Sequence, residues 1–272
     1  RRSSDLVTNL VYLYVLLGLG AFLVGRRFGP VAGAAAALLL LATPNVAFEG
    51  LRGYGEIPSL VGALAALCLL PSTGQGRTRA WRWLLAGIFF GLALATKTVI
   101  AICVGAFGLC MLVLALSDPR ERWPHRIRAA LLLAGGLLLP LLAIEAWRMA
   151  AVGGPSAWSA WWLEQWNSIQ GQTGTRAAPT SLQGYIDKWN LHVAALAGIH
   201  GLTPRLALAW LLLPFGLAAL ALWKVGDQRR HLPLYALLLA VALYFGWWLL
   251  LTPDSKLWQR RILCGGLMLN LV

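Results

Sequence analysis

The 272-residue chain is 59% hydrophobic and only 12% charged, with a mean hydropathy of +0.69. A water-soluble domain carries about 45–50% apolar and about 25% charged residues, so this composition excludes one and predicts an all-α, polytopic membrane protein. The net charge of +13 does not mark a nucleic-acid partner, because its Lys and Arg are spread over connecting segments rather than gathered on one soluble face.

Apolar runs between polar connections predict about nine transmembrane helices. The first, residues 6–25, ends at Arg26 and Arg27, where a signal peptide would need a small-residue cleavage site. Residues 31–47 return, rich in the Ala and Gly that let helices approach closely. A polar island, FEGLRGYGEIPSL (48–60), follows and holds Glu49, Arg52 and Glu56, with a glycine on each side of Tyr54. The spacing would put the three charges on one helical face, but Gly53 and Gly55 favour a tight turn where backbone approaches a ligand. Pro58 is expected to open the next span, residues 58–70. After a loop carrying Arg77, Arg79 and Arg82 come two runs, 84–95 and 99–116. A single helix over both would be about 50 Å long against a hydrocarbon core of about 30 Å, so two spans with a tight turn at Lys97 are expected. A second basic loop, DPRERWPHRIR, leads into the span 129–147, near whose end Glu145 lies within pairing reach of Arg148.

Residues 148–203 form the long polar stretch, dividing an N-terminal set of helices (1–147) from a C-terminal set (204–272). Trp158, Trp161, Trp162, Trp166 and Trp189 alternate there with polar residues. Because Trp suits a boundary with one apolar and one wet side, residues 156–170 are expected to form an interfacial helix. The alternative is a platform on which a sugar or isoprenoid chain stacks. A Gly/Thr/Pro-rich connector (171–181) and a short helix (181–200) follow, with His192 and His200 as ordinary interface histidines. The spans 206–223 and 234–251 come next, and the run 262–272 is cut short, so the chain is expected to be a piece of a longer protein. Cys68, Cys103, Cys110 and Cys264 all sit in apolar runs without ligand spacing and are expected to be small core residues.

One crossing per span puts the loops at 26–27, 77–82, 120–128 and 224–230 on the same side. They hold twelve of the 23 Lys and Arg, which makes that side cytoplasmic and the chain a protein of the cell's inner (plasma) membrane. The polar island, Lys97, the long segment and residues 254–261 then share the outer face. Charge there needs a reason, since it is costly near a bilayer unless solvated or paired. Glu49 and Glu56 could supply a general base or hold a divalent cation. Arg52, Lys97, Arg260 and Arg261 could hold a phosphate or diphosphate at the lipid–water boundary. The plainer roles are a solvated membrane-edge loop, a lysine reaching lipid phosphate, and an arginine pair anchoring a helix end. Soluble-enzyme motifs for nucleotide phosphates, zinc or a serine nucleophile are not present.

The order GRRFGP, ATPN, a polar turn, GEIPSL and a GLALATK turn, over residues 1–116, resembles the GT-C superfamily of membrane glycosyltransferases. That superfamily includes protein O-mannosyltransferases and the aminoarabinose transferase of lipid A; RRILCGG (260–266) is a weaker echo. The resemblance implies sugar transfer from a polyprenyl-phosphate donor to a lipid, glycan or protein acceptor on the extracytoplasmic face. It implies that Glu56 with Arg52 borders the active site and that Lys97 sits near donor phosphate. It also implies that the main catalytic acid lies in a first outer loop before this chain's first residue, leaving Glu56 a supporting or metal-holding role. Two rivals are a transporter or lipid flippase and a non-catalytic membrane subunit.

Overall fold

The computed structural model describes residues 2–43, 55–69, 79–97, 100–117, 122–173, 179–224, 232–251 and 266–271. Every regular element among them is helical: α1 (Arg2–Phe28), α2 (Pro30–Ala42), α3 (Glu56–Cys68), α4 (Ala80–Thr96), α5 (Ala101–Ser117), α6 (Trp123–Ala151), α7 (Pro155–Thr173), α8 (Leu182–His200), α9 (Pro204–Lys224) and α10 (Leu232–Leu251), with a last helical turn at 266–269. Proline opens α2, α7 and α9, where a missing N–H is no loss. Glycine closes α8: Gly201 takes φ 64°, and the Leu202 N–H turns back to the Ala197 carbonyl at 2.8 Å. At the other end of α8, Ser181 Oγ accepts the Gly184 N–H at 3.1 Å.

Two described helices are long and apolar enough to cross a membrane, α1 over Val7–Phe28 and α6 over Trp123–Ala151. A third candidate is α8 with α9, which meet at a 91° bend. The expected runs at 31–47 and 58–70 appear as helices of 13 residues, about 20 Å each at 1.5 Å per residue. The expectation of nine spans is thus met by fewer full-length ones among the described residues. Leu131, Leu139 and Leu142 on α6 are 66%, 59% and 65% exposed, an apolar surface of the kind that lipid covers.

Inside, small residues set the spacing. A Cβ at Gly62 of α3 would stand 3.0 Å from the Phe89 carbonyl of α4 and 3.1 Å from Ala93 Cβ. The two helices run antiparallel, which brings the start of α3 to the end of α4. Between α4 and α6 the fit is closer still: a Cβ at Gly87 would run into the Leu133 carbonyl, one at Gly91 into the Leu137 carbonyl and Pro140, and one at Gly136 into the Leu84 carbonyl. These contacts advance in step along both chains, so α4 and α6 are parallel. The last of these contacts, Gly91 with Leu137 and Pro140, lies five residues before both Thr96 and Glu145, so those residues stand toward the same end of the helix pair. Around this frame Leu16, Leu23, Leu40, Leu60, Leu64, Leu67, Phe90, Phe107 and Tyr244 form the buried core.

Candidate active site

The α3–α4 hairpin closes on a charged pair. Gly55 caps α3 with φ 81°, a left-handed conformation that disfavours any residue with a Cβ. Its Cα packs on the next turn, where an added Cβ would lie 3.5 Å from the Thr96 carbonyl and 3.8 Å from Lys97 Cδ. The helix therefore starts at Glu56, two residues before the Pro58 start expected from sequence. Pro58 sits in the first turn, still within the zone where its N–H is dispensable. Glu56 at the positive end of α3 and Lys97 just past the negative end of α4 each complement their own helix dipole. Antiparallel packing then joins them, Lys97 Nζ to Glu56 Oε1 at 3.2 Å. The Glu56 side chain is 9% exposed and that of Lys97 36%, so the carboxylate is sunk in the hairpin and the ammonium faces outward. Lys97 ends α4 in extended backbone (φ −154°, ψ 116°), the tight turn expected there.

A second charged cluster stands at the end of α6. Glu145 Oε1 takes a hydrogen bond and ion pair from Arg148. Glu145 Oε2 accepts the indole N–H of Trp158 at 2.8 Å and of Trp162 at 2.9 Å, both from α7. The Arg148 guanidinium lies 4.5 Å from the centre of the Trp161 ring and 5.8 Å from that of Trp162. The Glu145–Arg148 pairing was legible in sequence. The indole donors were not, although Trp158 and Trp162 at i and i+4 were a signal that both could face one acceptor.

A third polar group lies in the bundle. Asn270 Nδ2 donates to Thr43 Oγ1 at 2.7 Å, and Asn270 Oδ1 accepts the Trp210 indole N–H at 3.1 Å. This ties α2, α9 and the last helical turn together. His192, expected at the interface, is buried instead, its Nδ1 2.8 Å from the Lys188 carbonyl. The α8 helix packs against α9 and α10 and takes that face out of contact with solvent and headgroups.

Of the six residues proposed from sequence, the structure brings together Glu56 and Lys97. Glu49, Arg52, Arg260 and Arg261 lie outside the described residues. The described residues contain no group of three or more His, Cys, Asp or Glu that could hold a metal ion. Glu56, one of the acids considered for a divalent cation, already faces a lysine ammonium.

A helical bundle with apolar outer faces, and with Glu56 and Glu145 paired to bases where helices end, is the architecture of a membrane-embedded protein with a built charged rim. The chain belongs to the dolichyl-phosphate-mannose-protein mannosyltransferase family, whose model matches residues 6–147. It is a membrane glycosyltransferase of the GT-C type. The match runs from α1 into α6 and includes both Glu56 and Lys97. No curated protein and no solved structure matches the chain.

Proposed function

We propose that this protein transfers a sugar from a polyprenyl-phosphate donor to an acceptor hydroxyl on the extracytoplasmic face of the inner membrane. The observation that carries the reading is the Glu56–Lys97 pair at the tip of a hairpin held together by Gly62 and Gly55. The Lys97 side chain is 36% exposed while its Nζ stands 3.2 Å from Glu56 Oε1, so an ammonium carrying three N–H donors is set at the rim where a donor phosphate would arrive. Glu56 is the positioning partner that keeps this ammonium aimed. Arg52, Arg260 and Arg261 are proposed as further phosphate ligands, and Glu49 as an acid of the same rim.

In the reaction, the acceptor oxygen attacks the anomeric carbon and its proton passes to a carboxylate base. The bond from that carbon to the phosphate oxygen breaks, and the phosphate leaves with the electron pair. Negative charge grows on the departing oxygen, where fixed cations are worth most. Binding the donor and stabilising its leaving group therefore fall to the same lysine.

The test is transfer from a polyprenyl-phospho-sugar by full-length protein in membranes. Lys97→Ala and Arg52→Ala are expected to lower turnover by at least about 100-fold, the scale for losing one charge-stabilising donor, while the protein stays folded in the bilayer. Wild-type turnover by either variant removes that residue from the mechanism. For sidedness, a cysteine replacing Tyr54 should react with an impermeant reagent added outside cells, and one replacing Arg79 should not. The opposite pattern overturns the assignment of the rim to the outer face.

A further inference from the structure

The cluster at the end of α6 has no part in the chemistry above, yet its carboxylate is bonded through both oxygens. Both oxygens of Glu145 are engaged, one by Arg148 and the other by two indole N–H groups. Three donors converging on one carboxylate fix its orientation as well as its position. Arg148 is itself held against the Trp161 face.

The bonds also join two elements that the backbone separates. After α6 the chain passes through Gly153 (φ 99°) and Gly154 (φ 113°), a sharp corner that only glycine takes readily, and α7 begins at Pro155. From there α7 meets the rest of the described chain chiefly at the end of α6. Its Leu163 and Trp166 are exposed, so packing does little to set its direction. What does set it is the pair Trp158 and Trp162, one turn apart, both bonded to one carboxylate.

We infer that Glu145, Arg148, Trp158 and Trp162 form a latch that fixes α7 at the level of the Glu56–Lys97 pair, making Glu145 a positioning residue for substrate binding. The level rests on the parallel register of α4 and α6, whose last close contact, Gly91 against Leu137 and Pro140, lies five residues before both Thr96 and Glu145. The tryptophan helix then leaves the bundle where the proposed donor phosphate sits. This inference rests on the transfer reaction proposed above.

The test uses the full chain in lipid nanodiscs, with Trp158→Phe/Trp162→Phe as the main variant. It removes both indole donors and keeps an aromatic ring at each position, so the perturbation is milder than Glu145→Ala, which would strand Arg148. Glu145→Gln is the second variant. Paired spin labels at Ala143 and Asn167 report the position of α7, and initial rates with polyprenyl-phospho-sugar report function. The expected result is one narrow label distance in wild type and a broad one in both variants. Alongside it KM should rise on the order of ten-fold with kcat within about two-fold, the pattern for lost uniform binding. Unchanged label distances in both variants overturn the latch. A broadened distance with wild-type KM overturns the positioning role. If wild type transfers no sugar, the proposed reaction fails, while the label distances still decide whether the latch exists.

Discussion

The Glu56–Lys97 pair makes a quantitative demand, because its two members are not equally buried. At 3.2 Å the gross attraction is about 5 kcal/mol for an effective dielectric near 20. Desolvating Glu56 cancels much of this, and the net worth of such pairs runs from about 0–1 kcal/mol when exposed to several when one buried partner is stranded. Lys97→Met removes the ammonium 3.2 Å from the sunken Glu56 carboxylate and should cost about 2–3 kcal/mol. Glu56→Gln leaves the outward-facing Lys97 able to reach water and should cost only about 1 kcal/mol. The double variant should be more stable than the sum of the two single effects predicts, with a coupling of about 1–2 kcal/mol. The assay is equilibrium unfolding of all four proteins in mixed micelles, followed by far-UV circular dichroism. Equal single effects, or coupling below about 0.3 kcal/mol, would refute the claim that the hairpin tip is built on a buried acid with an outward-facing base.

Neighbouring glycines on α6 give a sharper contrast. Gly136→Ala, which drives a methyl into the Leu84 carbonyl, should cost about 2 kcal/mol or more. Gly135→Ala faces open space and should be neutral or stabilising by up to about 1 kcal/mol, both read by the same unfolding assay. Gly55→Ala, forced into φ 81°, should cost about 1–2 kcal/mol and is checked by its thermal midpoint in detergent. Asn270→Leu removes the bonds to Thr43 and Trp210 and should cost about 1 kcal/mol, the modest scale of hydrogen bonds between membrane helices. A loss above about 3 kcal/mol there would show that the C-terminal turn does more than bridge α2 and α9.

Much of the helical layout was open to reading from the residues. The turn at Lys97 followed from length, since the runs on either side are together too long for one bilayer crossing. The pairing of Glu145 with Arg148 followed from i,i+3 spacing. Placing Glu56 and Lys97 on one side of the membrane followed from the distribution of arginine. Their direct contact did not, for they lie forty-one residues apart and meet only because α3 and α4 pack antiparallel. Sequence marks the start of α3 at Pro58, while the left-handed Gly55 lets the helix begin at Glu56, because a glycine's φ is set by what packs on it. The burial of His192 is not legible in sequence, because a polar side chain on a short helix gives no sign of what packs over it.

By itself, the amino-acid sequence determined the solvent and the secondary structure. A chain this apolar satisfies its backbone polar groups in lipid by forming helices, whatever their arrangement. Tertiary structure alone decided which charges meet. Helix register is set by where backbones approach at Gly62, Gly87, Gly91 and Gly136, and that depends on the shapes of two surfaces at once. A string of residues describes each helix face singly. The Glu56–Lys97 pair and the four-residue latch on Glu145 exist only after two faces have been fitted together.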